Sequence, residues 1–329
     1  MTSDRRNLRR LREEQQRKQA QRRRLIGFGV VATIVLVGAV VAVFALKGGS
    51  SDGDSSKKSQ SGGPKKSSPA QAESPEADPN LITTSSGLVL DKNADLVSHF
   101  QGDVPILMYH AIDPPPAGQP YPDLFVPPDE FIEEMETLDK QGFNGVTLRQ
   151  VFDAWNDDKP LPENPIVISF DDGIRSQYTI ARPELRKLRW PGVLNLKVDA
   201  LTQAGELEPE AVKEMIDTGW EVDSHTIDHL DVTTLSGAEL AHQIADSRTE
   251  LQKKFNIPVA FFCYPAGAYD GESVAAVKAA GYEGATSVDP GLASKDEPFT
   301  LKRIRVDGGE GAGGLIEALK QAGVEMPSS

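Results

Sequence analysis

The 329-residue chain has 39 % apolar and 26 % charged residues, an ordinary globular composition that can build a sizeable core. Its formal net charge of -14 is uneven, because residues 1–24 hold ten Arg or Lys against three Asp or Glu, which leaves -21 for the remainder. An acidic body of this kind argues against nucleic acid as a partner. The single cysteine, Cys263, excludes an intrachain disulfide.

Residues 25–46 are 22 consecutive uncharged residues dominated by Val, Ile, Leu, Ala and Gly, long enough to cross a bilayer. Three arginines precede this stretch and only Lys47 follows it directly, so the positive-inside rule places the N-terminus in the cytoplasm. A cleaved signal peptide is the alternative, but the apolar run is longer than an h-region and its end, Phe44-Ala45-Leu46, lacks a small-x-small cleavage site. We therefore predict a single-pass anchor in the cell membrane, with the body of the protein extracytoplasmic.

The composition divides the chain into four segments. Residues 1–24 are a basic cytoplasmic segment and residues 25–46 the transmembrane helix. Residues 47–95 are rich in Ser, Gly, Pro and Lys and poor in large apolar residues, which predicts a flexible linker. Residues 96–326 are predicted to form the folded domain.

Apolar runs and helical periodicities alternate through this domain, and such alternation indicates a parallel sheet. Seven or eight strands within about 230 residues favour a closed or nearly closed (β/α) barrel. The predicted strands are 104–110, 145–148, 165–170, 192–198, 220–224, 259–264, 284–288 and 301–306. The predicted helices are 129–141, 180–188, 209–218, 237–255, 271–280 and 315–322.

Two adjacent aspartates, Asp171 and Asp172, follow the apolar strand 165–170 and precede Gly173, which permits a sharp turn. Side chains alternate along a strand, so the two carboxylates are expected to point in different directions and take different roles. The alternative is a turn that only caps the strand.

A second polar stretch places His225 and His229 four residues apart just after a predicted strand. One helical turn there would put both imidazoles on the same side. Two histidines and a carboxylate form a familiar catalytic zinc set, and Asp172 could supply the carboxylate. The alternative is an incidental pair, with Asp228 or Asp231 capping a helix.

The third stretch, residues 260–270, is an aromatic strand that opens into a loop rich in Pro and Gly. Such a loop can direct backbone N–H groups at an oxyanion, or it can be a purely structural turn.

The motifs Ser-Phe-Asp-Asp-Gly, His-Thr-Ile-Asp-His and Tyr-Pro-Ala-Gly, in this order, resemble the NodB-type polysaccharide deacetylases, carbohydrate esterase family 4. The resemblance covers about residues 100–310 and is closest to the branch that deacetylates poly-N-acetylglucosamine. It implies a distorted (β/α)7 barrel, with Asp171 as general base and Asp172, His225 and His229 as metal ligands. The implied cofactor is a divalent metal, zinc first, with Co²⁺, Ni²⁺ or Fe²⁺ as alternatives.

The chemistry of the loop agrees with this resemblance. The backbone N–H of Ala266 would support the tetrahedral oxyanion, and Tyr264, Pro265 and Tyr269 around it are expected to contact the substrate.

The chain departs from the family pattern at three points. Many relatives carry an arginine that orients the base where this chain has Cys263, and Ala266 replaces the usual tyrosine of the turn. The late strand 301–306 contains no histidine, although many relatives carry their general acid there.

We assign the general acid to His110, because histidine is best matched to proton transfer near neutral pH. Of the five histidines, two are assigned to the metal, His242 lies in a predicted surface helix and His99 in a polar stretch. Only His110 ends a predicted barrel strand on the same rim as Asp171. The alternative is a histidine that hydrogen-bonds the Pro-rich loop after it.

The expected activity is metal-dependent hydrolysis of N-acetyl groups on a cell-envelope or extracellular polysaccharide, such as poly-N-acetylglucosamine, a chitin-like polymer or peptidoglycan. One alternative is a catalytically silent glycan-binding relative, favoured by the two residues missing from the family pattern. Another is a metal-dependent O-acetyl esterase.

Overall fold

The computed structural model describes residues 81–83, 89–91 and 96–327. The predicted basic segment, the predicted span 25–46 and most of the predicted linker lie outside these residues. Across the described ranges, no helix has both the length and the apolar character needed to cross a membrane.

The core of the domain is a barrel of seven parallel strands. The strands that follow one another along the chain here are β4 (Ile106–Tyr109), β5 (Asn144–Val146), β7 (Pro165–Asp172), β8 (Val193–Leu196), β9 (Glu221–Ser224), β10 (Phe261–Cys263), β11 (Gly284–Pro290) and β12 (Leu301–Arg305). The order around the barrel is β4-β12-β11-β10-β9-β8-β7, and pairing of β4 with β7 closes the ring. The eighth strand, β5, pairs with the start of β7.

Two small antiparallel sheets lie outside the barrel. One pairs β1 (Leu81–Thr83) with β2 (Val89–Asp91), and the other pairs β3 (Leu96–Val97) with β6 (Leu161–Pro162). The predicted (β/α)7 barrel is thus confirmed as a fold, with these sheets as additions.

Helices surround the barrel because its outer face is apolar. Along β7, Ile166, Ile168 and Phe170 point outward into the core shared with the helices, while Val167 and Ser169 point inward. The helices are α1 (Pro128–Lys140), α2 (Leu148–Asp157), α3 (Arg182–Lys187), α4 (Pro209–Asp217), α5 (Gly237–Ala241), α6 (Ser247–Phe255), α7 (Gly271–Ala279) and α8 (Gly311–Gln321).

The sequence prediction missed α2 and extended a strand over its first residue. The structure ends β5 at Val146, and Thr147 begins a capping box in which its side chain accepts from the Gln150 N–H while the Gln150 side chain accepts from the Thr147 N–H. The apolar residues that follow, Val151, Phe152 and Trp155, have helical spacing, and they pack into the barrel at its amino end.

The barrel interior has two chemically different layers. The lower interior, nearest the amino ends of the strands, is apolar and is closed by Phe152 and Trp155; its strand residues are Ile106, Val167, Val193, Phe261 and Leu301. The upper interior begins one inward-facing position later, where most strands carry a polar side chain; its polar residues are Ser169, Asp171, Asn195, Asp223, Cys263 and Arg303, and β4 contributes the apolar Met108. The carboxyl ends of the strands above it form the upper rim, where parallel barrels place their chemistry.

Candidate metal and catalytic site

The two aspartates at the end of β7 point into different environments, as their alternation predicts. Asp171 is almost fully buried in the upper interior, whereas Asp172 is partly exposed at the upper rim with φ = 78°. Gly173 follows with φ = 86°, and a Cβ there would lie 2.5 Å from Leu196 Cδ1. The tight turn therefore requires glycine.

Asp171 is held by a fully buried arginine, Arg303, from β12. The guanidinium donates from Nη1 to Oδ1 and from Nη2 to Oδ2, both at 2.8 Å, and Asn195 Nδ2 donates to Oδ1 at 2.7 Å. Burial would raise the pKa of Asp171, but the charge and hydrogen bonds of Arg303 outweigh it and hold that pKa well below its usual range. The carboxylate is therefore ionised and fixed in one orientation.

Cys263 does occupy the position where an arginine was expected, but the inference that the base lacks its arginine is wrong. Arg303 reaches the same carboxylate from a different strand, and the Cys263 thiol lies beside both groups, 3.3 Å from Arg303 Nη2 and 3.7 Å from Asp171 Oδ2. The small side chain at position 263 leaves room for this approach. The sequence did not single out Arg303, because its partner Asp171 is 132 residues away and no local pattern connects the two.

Asp172 lies next to the two histidines predicted as its partners. Its Oδ1 is 3.9 Å from His225 Nε2 and 3.7 Å from His229 Nε2, and one ligand atom from each residue lies within 4.8 Å of the others. Lys197 Nζ is 3.5 Å from the same oxygen and was not singled out in the sequence. Burial would raise the pKa of Asp172, but His229 and Lys197 outweigh it and lower the pKa.

The two histidines do not share a helical turn, so that part of the prediction is wrong. Residues 225–230 form a loop in which Thr226 and His229 have φ values of 70° and 62°. Thr226 Oγ1 accepts a hydrogen bond from the His229 N–H at 2.9 Å, which closes the loop. Positive φ at a β-branched residue costs of order 1–3 kcal/mol, so the surrounding fold holds this loop in shape.

The hydrogen bond of His225 fixes which ring nitrogen is available. Its Nδ1 is 2.8 Å from the Cys263 carbonyl oxygen, which can only accept, so Nδ1 carries the proton and Nε2 presents its lone pair toward Asp172. Metal-binding histidines are commonly oriented in this way.

The second histidine is also suited to bind a metal. Burial lowers the pKa of His229 to about 4 although the Asp172 carboxylate opposes it, so the ring is neutral at pH 7. A neutral imidazole is the form that binds metal. The donor set of one carboxylate and two imidazoles therefore fits a divalent cation such as zinc.

A second cluster with ligand atoms within 4.8 Å, formed by Asp171, His225 and Cys263, does not fit a metal. Both oxygens of Asp171 accept from Arg303, and burial raises the pKa of the Cys263 thiol well above its ordinary value.

His110 lies at the end of β4 on the same rim, as predicted. Its Nε2 is 3.9 Å from Asp171 Oδ2, and its side chain is 16 % exposed, so it faces both the buried base and the surface. Burial lowers the pKa of His110, while Asp171 and Asp172 oppose this effect. A lowered pKa makes the protonated ring a stronger acid.

The turn after β10 contains Ala266, which is partly buried and left-handed, with φ = 50°. Tyr264 and Pro265 are buried, and Tyr264 belongs to the core between barrel and helices, so they shape the turn and do not offer a side-chain surface to a substrate. Tyr269 is partly exposed, and its hydroxyl donates to Asp289 Oδ2 at 2.7 Å. That hydrogen bond raises the pKa of Tyr269 to about 12.

Comparisons with known proteins agree with this architecture. The sequence profile of the family described as Polysaccharide deacetylase matches residues 158–285. YxkH from Bacillus subtilis (strain 168), whose name assigns it provisionally to the polysaccharide deacetylases, is 31 % identical over 234 residues, covering 70 % of this chain and 82 % of that protein.

Two further relatives bear on the site. The Streptococcus pyogenes deacetylase PplD, solved in complex with acetate, has a TM-score of 0.61 and 25 % identity, covering 67 % of this chain and 99 % of that chain. The poly-β-1,6-N-acetyl-D-glucosamine N-deacetylase of Escherichia coli (strain K12) is 39 % identical over only 61 residues, which are 18 % of this chain and 9 % of that protein.

Proposed function

The chain belongs to the polysaccharide deacetylases, and we propose that it removes N-acetyl groups from poly-β-1,6-N-acetylglucosamine in a metal-dependent hydrolysis. One observation carries this proposal: adjacent aspartates are divided between two tasks, with Asp172 next to two histidines and Asp171 locked onto Arg303. A metal-dependent amide hydrolase needs a metal ligand and a proton acceptor side by side.

Asp172, His225 and His229 would hold the metal, with zinc as the first choice. When bound, a divalent metal supplies Lewis acidity, which polarises a carbonyl and makes water a better nucleophile near neutral pH. The remaining chemistry belongs to side chains and backbone groups of this chain.

Asp171 acts as the general base in this proposal. Its carboxylate accepts a proton from water as the water oxygen bonds to the acetamide carbon. The low pKa that Arg303 imposes keeps the carboxylate ionised. Asn195 and Arg303 fix its orientation, so no rearrangement is required during the reaction.

His110 returns the proton to the departing amine. It lies 3.9 Å from Asp171 and faces the rim, which suits transfer from base to leaving group. As the C–N bond breaks, acetate leaves and the sugar nitrogen takes the proton. The backbone N–H of Ala266 supports the tetrahedral oxyanion, as expected for a left-handed turn at the rim.

The choice of polymer rests on the local match to the Escherichia coli enzyme and on the acidic body. The product amine is cationic, and the net charge of -21 on the chain after residue 24 attracts it weakly at long range. We propose that the reaction occurs outside the membrane, with residues 25–46 as the uncleaved anchor. Retention of the full chain in membranes after high-salt and alkaline washing tests the anchor, and a mature N-terminus near residue 48 would contradict it.

The test of function is acetate release by the Zn²⁺-loaded full chain from poly-β-1,6-N-acetylglucosamine, with peptidoglycan and chitin oligomers as further substrates. We expect Asp171→Asn to bind Zn²⁺ but lose turnover, and His229→Ala to lose both. His242→Ala is the matched control, because His242 is exposed and pairs only with Asp246 among the described residues.

Acetate release from acetylated xylan alone would assign an O-acetyl esterase. Absence of both Zn²⁺ binding and turnover on these polymers would favour a silent glycan-binding relative. The case for the silent relative is weaker than the sequence suggested, because Arg303 provides the guanidinium that position 263 lacks.

A further inference from the structure

Two helical segments beside the upper rim each contain one π-helical turn, Gln177–Ala181 before α3 and His242–Asp246 between α5 and α6. A π-turn inserts an extra residue into a helix and occurs often at functional sites. Each of these turns contains a glutamine that is almost completely buried, Gln177 at 0 % and Gln243 at 3 % exposure. Neither glutamine has a role in the reaction described above.

Gln177 connects the ends of two barrel strands. Its Nε2 donates to the Asp171 carbonyl oxygen at 2.6 Å and to the His110 carbonyl oxygen at 3.0 Å. The neighbouring Ser176 Oγ accepts from the Ile112 N–H at 3.0 Å. This helical segment therefore ties the backbone of the proposed acid to the backbone of the proposed base.

Gln177 makes these two hydrogen bonds at a cost. Its Oε1 is buried and has no hydrogen-bond partner among the described residues. An unsatisfied buried polar atom destabilises the folded state. An apolar side chain would avoid that cost but could not connect the two carbonyls.

Gln243 uses the acceptor oxygen of its amide, whereas Gln177 uses the donor nitrogen. Its Oε1 accepts from the Ile227 N–H at 3.1 Å and from the Asp228 N–H at 3.4 Å. These amides lie inside the loop that runs from His225 to His229. The glutamine therefore supports the centre of the loop whose ends provide two of the proposed metal ligands.

We propose that Gln177 and Gln243 are positioning residues: Gln243 fixes the metal-binding loop and Gln177 fixes the acid–base pair. This inference deepens the proposed function and rests on it for the roles of His110, Asp171, His225 and His229. The Gln243 assignment has a readout that needs no substrate, which is the affinity for Zn²⁺ alone.

The two glutamines respond differently to the same isosteric substitution. Glutamate keeps the acceptor oxygen that Gln243 uses, so Gln243→Glu retains both hydrogen bonds. Glutamate removes the donor that Gln177 uses and directs an oxygen at two carbonyl oxygens, so Gln177→Glu loses the connection. Methionine has a similar length and removes both functions.

The first experiment measures the Zn²⁺ dissociation constant of the full chain by competition with a chromophoric chelator. We expect Gln243→Met to weaken Zn²⁺ binding 10- to 100-fold, the usual scale for groups that support metal ligands. Gln243→Glu should stay within about threefold of wild type, because the accepting oxygen remains. Both Gln177 variants should bind Zn²⁺ as wild type does.

The second experiment measures turnover and backbone hydrogen exchange of the Gln177 variants. We expect Gln177→Met and Gln177→Glu each to lower kcat about 10- to 100-fold with little change in KM, because small displacements of reacting groups have effects of that size. Both should also speed exchange at the Ile112 amide, and this readout remains informative if no polymer proves to be a substrate.

Gln150→Met is the matched control, because Gln150 is an equally buried glutamine that caps α2 at the opposite end of the barrel. It should lower the melting temperature without changing Zn²⁺ affinity or kcat.

Two results would overturn the role of Gln243 in the metal-binding loop: wild-type Zn²⁺ affinity in a folded Gln243→Met protein, or weakened Zn²⁺ affinity in Gln243→Glu. Wild-type kcat or wild-type exchange at the Ile112 amide in Gln177→Met would overturn the role of Gln177 in the acid–base pair. Absence of acetate release by wild type with the Zn²⁺ pattern intact refutes only the proposed function.

Discussion

The lower and upper interiors of the barrel are built on the same strands and differ by one inward-facing residue. Val167 on β7 lies among apolar side chains, Ser169 accepts from Arg303, and Asp171 carries the buried charge. Apolar burial in the lower interior favours folding directly. In the upper interior, a charged pair must be desolvated, and such a pair is weak evidence of stabilisation. The comparison indicates that the lower interior stabilises the barrel, while the upper interior carries the residues of the proposed chemistry.

The largest effect is expected from removal of Arg303, the buried cation of the upper interior. Arg303→Met should abolish turnover and lower the free energy of unfolding by about 3–5 kcal/mol, because Asp171 is left charged and unpaired. Adding Asp171→Asn should restore most of the stability and none of the turnover. Chemical denaturation and acetate release measure the two effects. Equal stability of Arg303→Met and wild type would mean that the pair is already neutralised in another way.

A substitution in the lower interior should lower stability without changing turnover. Phe152→Ala removes a side chain that packs at 4.6 Å, centroid to centroid, from Phe261 and closes the barrel floor. We expect a loss of about 3–5 kcal/mol in unfolding free energy, the usual range for Phe→Ala in a core, with kcat and Zn²⁺ affinity of the folded fraction unchanged. A large fall in kcat below the melting temperature would show that the two layers are coupled.

His110, at the upper rim, should affect turnover without affecting stability. His110→Gln should leave Zn²⁺ content and stability near wild type and lower turnover about 100-fold, as expected for loss of a proton-transfer group. His99→Gln is the control, because His99 is an exposed histidine. Near wild-type turnover of His110→Gln would assign proton delivery to another group.

A buried carboxyl outside the barrel should affect stability through its pKa and leave turnover unchanged. Glu134 on α1 is fully buried, and its carboxyl accepts a hydrogen bond from the Tyr109 hydroxyl at 2.8 Å. Burial raises the pKa of Glu134 from 4.5 to about 8. The folded state therefore binds a proton that the unfolded state releases between these pH values, so stability falls as pH rises from about 4.5 to 8 and levels off above. Wild type should lose about 2 kcal/mol between pH 6 and pH 8 that Glu134→Gln retains. The exposed Glu136→Gln is the control, and parallel pH profiles for wild type and Glu134→Gln would refute the assignment.

Local patterns were sufficient to predict the barrel and the approximate positions of its strands. The capping box at Thr147 and the helical spacing after it are signals from which α2 could have been predicted, but the strand predicted over 145–148 covered its start. The loop between His225 and His229 could not be predicted, because positive φ at Thr226 and His229 depends on contacts from elsewhere in the fold. Spacing alone favoured an ordinary helical turn there.

Arg303 could be noticed in the sequence, but its partner could not be predicted from it. Its strand alternates so that Leu301 and Arg303 share one face, and an inward-facing arginine in a barrel strand is a usable signal. Its partner, however, is 132 residues away, and nothing local connects them. The pairing depends on closure of the ring, in which β12 lies beside β4 and β4 beside β7.

That closure also connects folding to the site. β12 follows every other barrel strand along the chain, and contacts between residues so distant in sequence form slowly because they require closure of a long loop. Any partly folded form that lacks β12 leaves Asp171 without its cation. The proposed base is therefore completed by the same step that completes the barrel.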